Sequence, residues 1–100
     1  MAVLLPSCSR AFDAQVYNPC QESAIVTFSN RRLSVADSEW RRQVTVLPVS
    51  ALRVDGVFSD ADADGTGFIR VEIGEAPARI FEVPYLSEEP FPAMIPASAC

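Results

Sequence analysis

From residue 24 to residue 83, apolar and polar positions alternate in short runs that turn signals interrupt. That period of two is the mark of β-strands burying one face. Ala24–Ser29 (AIVTFS) is dense in β-branched and aromatic residues and predicts a strand. Ser29-Asn30 predicts a turn, Arg32–Ala36 a return strand and Asp37-Ser38 a second turn. Trp40–Val49 (WRRQVTVLPV) predicts another strand, in which Pro48, with no N–H to donate, marks an edge or an end. A short helix capped by Ser34 or Asp37 competes for Ser34–Gln43.

The clearest pair follows. Leu52–Phe58 (LRVDGVF) puts Leu52, Val54 and Phe58 on one face and Arg53 and Asp55 on the other. Phe68–Ile73 (FIRVEI) puts Ile69, Val71 and Ile73 inside and Arg70 and Glu72 outside. The two runs read as an antiparallel hairpin over a core, its outer arginines facing its outer acids. Gly74–Ala78 predicts a turn and Arg79–Val83 (RIFEV) a further strand.

The ends do not alternate. Residues 1–23 are broken by Pro6, the Ser7-Cys8-Ser9 cluster and Asn18-Pro19. They read as an N-terminal arm, with a short strand near Met1–Leu5 and a helical turn around Ser9–Gln15 as its local options. Pro84, Pro90, Pro92 and Pro96 are half of the 8 prolines. They make residues 84–100 an extended C-terminal arm of polyproline character. The expectation is one mainly β domain over residues 24–83: a small antiparallel barrel or sandwich of about five to seven strands, carrying both arms.

Composition narrows the chemistry. The formal net charge of −5 argues against general affinity for nucleic acid or anionic membranes. No apolar run approaches the ~20 residues of a membrane span. There is no histidine and no lysine, so all 8 basic residues are arginine. The commonest general base, Schiff-base chemistry and the phosphate-loop lysine are thereby absent, and a non-enzymatic protein is expected. The 3 cysteines, Cys8, Cys20 and Cys100, are odd in number and widely spaced. They predict reduced thiols in a cytosolic product rather than a disulfide framework or a zinc site.

Asp60, Asp62 and Asp64, followed by Gly65 and Thr66, match the first half of a calcium loop. The twelfth position, where a bidentate glutamate belongs, is Val71, and the flanks read as strands rather than helices. Three carboxylates at this spacing repel by about 1–2 kcal/mol in water, which a folded domain tolerates without an ion. Two readings stand: a solvated acidic hairpin turn, and a calcium ion held by Asp60, Asp62, Asp64 and Thr66. No other cofactor is expected.

Arg31-Arg32 and Arg41-Arg42 form two basic pairs that a hairpin over residues 31–49 would bring together. That patch suits a carboxylate surface or phosphate, or else a salt-bridged outer face. Trp40 beside it suits a core or an interface anchor. In the Pro-rich arm, Tyr85, Leu86, Phe91, Met94 and Ile95 are apolar residues on a stiff, extended stretch. Such a segment docks on a neighbouring subunit at low entropic cost.

One resemblance rests on particular residues. Gly56-Val57-Phe58 followed by Asp60, then Gly67-Phe68-Ile69-Arg70-Val71-Glu72, then Phe81-Glu82-Val83, make the segment Val54–Glu89. That segment, about a third of the chain, resembles the core of tailed-phage head–tail joining (head-closure) proteins. The resemblance implies a structural component of a virion assembled in the host cytoplasm and bound to other protein subunits. A head–tail joining, capsid decoration or accessory role fits it. Beyond Val83 the chain departs from that pattern, which continues with a Gly-Asp turn and a final strand pair. The rival expectation is a small β-domain that binds calcium through the Asp60–Asp64 loop.

Overall fold

A computed structural model describes residues 11–59, 66–84 and 90–100. Its seven strands are β1 (Ala11–Asn18), β2 (Ala24–Ser29), β3 (Arg41–Val46), β4 (Ser50–Ser59), β5 (Thr66–Ile73), β6 (Arg79–Pro84) and β7 (Phe91–Met94). A 3-10 turn, Ala97–Ala99, follows β7. The strands form two sheets, in the orders β4-β1-β7 and β3-β2-β5-β6. The described strands therefore form a β-sandwich, one of the two architectures that the alternation predicted, with β7 joining it parallel rather than antiparallel.

Local alternation explains the strands. In β1, Ala14 and Val16 are fully buried, whereas Tyr17 faces outward. In β2 and β5 the register runs without a break from Ala24↔Ile73 to Ser29↔Phe68. Phe28 meets Phe58 edge to face across the two sheets, with ring centroids 5.8 Å apart. Ile69, Val71, Val83 and Val46 complete the core around them.

Several expectations are overturned. The predicted hairpin of residues 52–58 with 68–73 does not form. Strand β4 pairs with β1 and β5 pairs with β2 and β6, so the two runs lie in different sheets. Both are amphipathic, and each buries its apolar face against the other sheet rather than beside the other strand. Arg53 therefore meets Asp13 of β1, and Arg70 reaches Thr27 of β2. Residues 11–18, predicted as part of an irregular arm with a helical turn, form the central strand of the first sheet. Residues 32–36 form neither the predicted strand nor the competing helix.

The Pro-rich segment is not a free arm over residues 90–100. It returns as β7, an edge strand parallel to β1, with Phe91 beside Ala14 and Met94 beside Tyr17. Pro92 is tolerated because an edge strand leaves one side unpaired. Phe91, Ala93, Ile95 and Ala99 enter the core. The cysteines also differ from expectation: Cys20 and Cys100 are joined in a disulfide across 80 positions, their Cα atoms 5.4 Å apart. Cys8 lies outside the described residues.

The outer face of the second sheet carries a small core of its own. Leu33 and Trp40 pack on Phe68, with Ile80 beside them. Trp40 is buried, and its Nε1 donates to the Ser34 carbonyl at 2.8 Å. The connection between β2 and β3 thus covers β5, which explains why Phe68 and Ile69, consecutive in sequence, are both buried.

Candidate interaction surface

Two irregularities shape the surface. In the first sheet, Phe12 pairs with Phe58 and Ala14 with Val54, so Asp55, Gly56 and Val57 stand opposite the single residue Asp13. Gly56 turns this bulge with φ 63. Its N–H donates to Asp13 Oδ1 at 2.9 Å, and Arg53 donates to Asp13 Oδ2 at 2.6 Å. The Arg53 hydrogen bond first, and the Gly56 amide second, hold the Asp13 carboxyl below its ordinary value. In the second sheet, Arg42 and Gln43 stand opposite Thr27, and Arg42 adopts φ 60. β3 is an edge strand, and a bulge bearing charged residues guards such an edge against pairing with another chain.

The predicted arginine patch is divided. Arg31 is paired with Glu39. Arg32 is paired with Glu82 and lies over the Phe68 ring, 4.8 Å from its centroid. Arg41 and Arg42 are exposed, and neither side chain has an ion pair or hydrogen bond among the described residues. Arg31 and Arg41 line one cleft of about 360 Å³ with Ser29, Asn30, Ser38 and Glu39. Arg41 and Arg42 line a second, of about 340 Å³, with Phe28, Gly56 and Val57. The structure thus groups Arg31, Arg41 and Arg42 and commits Arg32 elsewhere. Arg70, which sequence reasoning placed on a hairpin face, holds the β2–β3 connection. Its Nη1 donates to the Val35 carbonyl at 2.7 Å, and its guanidinium lies 5.4 Å from the Trp40 ring centroid.

Of the apolar residues predicted to bind partners, Phe91 and Ile95 are each 2% exposed and belong to the protein's own core. Their alternation with Pro92 and Met94 turns them inward once β7 pairs with β1. Met94 is 62% exposed. Tyr85 and Leu86 lie outside the described residues, as do Asp60, Asp62 and Asp64. Thr66 opens β5, half-buried and paired with Pro84. Among the described residues, no three of His, Cys, Asp and Glu come together to hold a metal ion. No helix among them is long and apolar enough to cross a membrane.

The surface that sequence reasoning missed lies on the outer face of the first sheet. Tyr17 pairs with Ala51 on one side and Met94 on the other, a row across three strands. With Pro19 and Val49 they line an apolar cleft of about 420 Å³. Val49 is 64% exposed and sits at φ 50, a region that β-branched residues avoid. Pro48 precedes it in the tight β3–β4 connection, and the Val49 N–H donates to the Cys20 carbonyl at 3.1 Å. The sequence signals for this cleft are Met94, expected to meet a partner, and the outward phase of Tyr17, visible only once residues 11–18 are read as a strand.

No family model, no curated protein and no solved structure matches this chain.

Proposed function

We propose that this protein is a non-enzymatic structural module of a large symmetric assembly, a phage-type virion component with a head–tail joining, decoration or accessory role. It docks on neighbouring subunits. The observation that carries the reading is the row Ala51–Tyr17–Met94 with Val49 beside it. An apolar cleft walled by a strained, exposed valine costs an isolated domain stability, and a partner surface that covers it explains its presence. The unpaired Arg41 and Arg42 supply charge for a partner's carboxylates. Of the segments that resemble head–tail joining proteins, Gly56-Val57-Phe58 falls in β4, Gly67–Glu72 in β5 and Phe81-Glu82-Val83 in β6. A disulfide suits a particle that leaves the reducing cytosol.

The native particle mass tests the reading. The parent is expected far above the 10.9 kDa of one chain, and a Tyr17→Asp, Met94→Asp variant at or near it, with an unchanged β circular-dichroism signal. A parent that remains at 10.9 kDa up to millimolar concentration and on mixing with candidate virion subunits ends it.

A further inference from the structure

The region around Cys20 and Cys100 is built unlike the rest of the sandwich. Cys20 is held rigidly in the β1–β2 connection. It is 2% exposed, its N–H donates to Asn18 Oδ1 at 2.9 Å, and its carbonyl accepts from Val49. Cys100, directly after the 3-10 turn, is exposed. Between β6 and this cysteine, the described backbone is joined to the first sheet by four residue pairs, Ala14↔Phe91 to Tyr17↔Met94, and by the Ile95 N–H donating to the Tyr17 carbonyl at 3.1 Å, with the Phe91 ring against Phe12 at 5.2 Å between centroids. Parallel pairing is weaker per residue than antiparallel, and Pro92 donates nothing to it. Phe91, Ala93, Ile95 and Ala99 nonetheless fill core positions. With so short a ladder, the edge strand depends on these buried side chains and on the disulfide to stay on β1.

We infer that the Cys20–Cys100 bond is a redox latch that fixes β7 on β1, and that its acidic rim makes it answer to neutral dithiols ahead of anionic thiols. The inference stands apart from the assembly reading. Glu22 and Glu75 line the 320 Å³ cleft through which Cys20 and Cys100 are reached. Glu22 is seated over Gly74, whose φ of 57 and missing side chain leave it room. These carboxylates repel an incoming anion such as glutathione more than a neutral dithiol such as dithiothreitol. The thiolate of the dithiol attacks the exposed Cys100 sulfur, and Cys20 leaves as the thiolate and takes up a proton. The second thiol of the reductant then displaces Cys100 from the mixed disulfide. Two protein thiols and one cyclic disulfide result, with two electrons transferred from reductant to protein. Reduced, the segment 90–100 opens from the edge of β1 while the β2–β5–β6 ladder stays closed.

Hydrogen exchange on the full oxidised chain tests the latch, with alkylation mass counting free thiols. The oxidised chain takes one label and the reduced chain three, since the protein has 3 cysteines and the bond occupies two. Reduction by dithiothreitol is expected to speed exchange over Phe91–Ile95 at least tenfold and to leave Ala24–Ser29 unchanged. Cys100→Ser should reproduce this without any reductant. Glutathione at equal thiol concentration should reduce the bond more slowly, and a Glu22→Gln, Glu75→Gln variant should narrow that gap several-fold, down to the intrinsic difference between a monothiol and a dithiol. Exchange that rises equally in both segments, or in neither, overturns the latch. A rate gap as wide in the double variant as in the parent overturns the role of the rim.

Discussion

The side-chain amide of Asn18 donates to the Val46 carbonyl at 3.0 Å, tying the end of β1 in one sheet to the end of β3 in the other. The same Nδ2 reaches the carbonyls of Glu22 at 2.9 Å and Leu47 at 3.1 Å. Its Oδ1 accepts from Cys20. At 2% exposure, Asn18 thus satisfies four backbone groups, two in the β1–β2 connection and two at the end of β3 and just beyond it. Replacing it by Ala strands several of them, at about 1–3 kcal/mol for each group that water cannot reach. Asn18→Asp should cost more, because a carboxylate oxygen would face three carbonyl oxygens. Urea denaturation should rank the proteins parent, Asn18→Ala, Asn18→Asp, from most to least stable.

Gly67 is fixed by Phe58. A methyl group at residue 67 would lie 2.6 Å from Phe58 Cε1, and that ring is itself 1% exposed and packed edge-on against Phe28. Gly67→Ala is expected to cost about 1–3 kcal/mol through overpacking. Shrinking the ring relieves the clash, so Phe58→Leu should cost less in the Gly67→Ala background than in the parent. A double-mutant cycle by denaturant unfolding reads the coupling, and strict additivity would contradict the contact.

These tertiary contacts mark where the sequence stops being informative. Ala24–Ser29, Thr66–Ile73 and Arg79–Pro84 are strands whose alternation is local, and they stand close to where it puts them. Pairing is not local. Two amphipathic runs separated by an acidic turn look the same whether they pair with each other or pack face to face. The bulge at Gly56 hides the choice further, because it leaves both Val57 and Phe58 buried and breaks the period of two. β1 was masked by Asp13, Gln15 and Asn18, polar residues whose roles are a bulge contact, an outward face and a buried backbone clamp. Of the candidate site, exposed Met94, Arg41 and Arg42 were legible. The inward turn of Phe91 and Ile95 was not, since it depends on β7 finding β1. Nor was the disulfide, whose partners stand 80 positions apart.

Acid should weaken the bulge of the first sheet. Arg53 and the Gly56 amide favour the charged form of Asp13, so its folded pKa lies below its unfolded one. The folded state then binds fewer protons. The stabilisation is complete above the unfolded value of about 3.9 and is lost as pH falls through the depressed folded value. Arg53 is 53% exposed, so the effect is small, below about 1 kcal/mol. Asp13→Asn should be less stable than the parent at pH 7 and approach it at pH 2, as followed by urea midpoints at both pH values. A difference that does not shrink with acid would show that charge is not the cause.

Val49→Gly should separate stability from association. In the left-handed region a side chain costs about 1–2 kcal/mol, and a β-branched one sits at the high end. Glycine removes that strain and gives back about 0.5–1 kcal/mol through the greater entropy of the unfolded chain. Because the Val49 side chain is 64% exposed, little packing within the protein is lost. The net expectation is a gain of up to about 1 kcal/mol in urea denaturation. The same change removes one wall of the cleft formed with Tyr17 and Met94. If the valine is retained for a neighbouring subunit, the more stable variant should assemble less well by sedimentation velocity. A variant that gains stability and assembles as the parent does would show that the strain serves no interface. One that loses stability would show that Val49 makes contacts which outweigh its backbone cost.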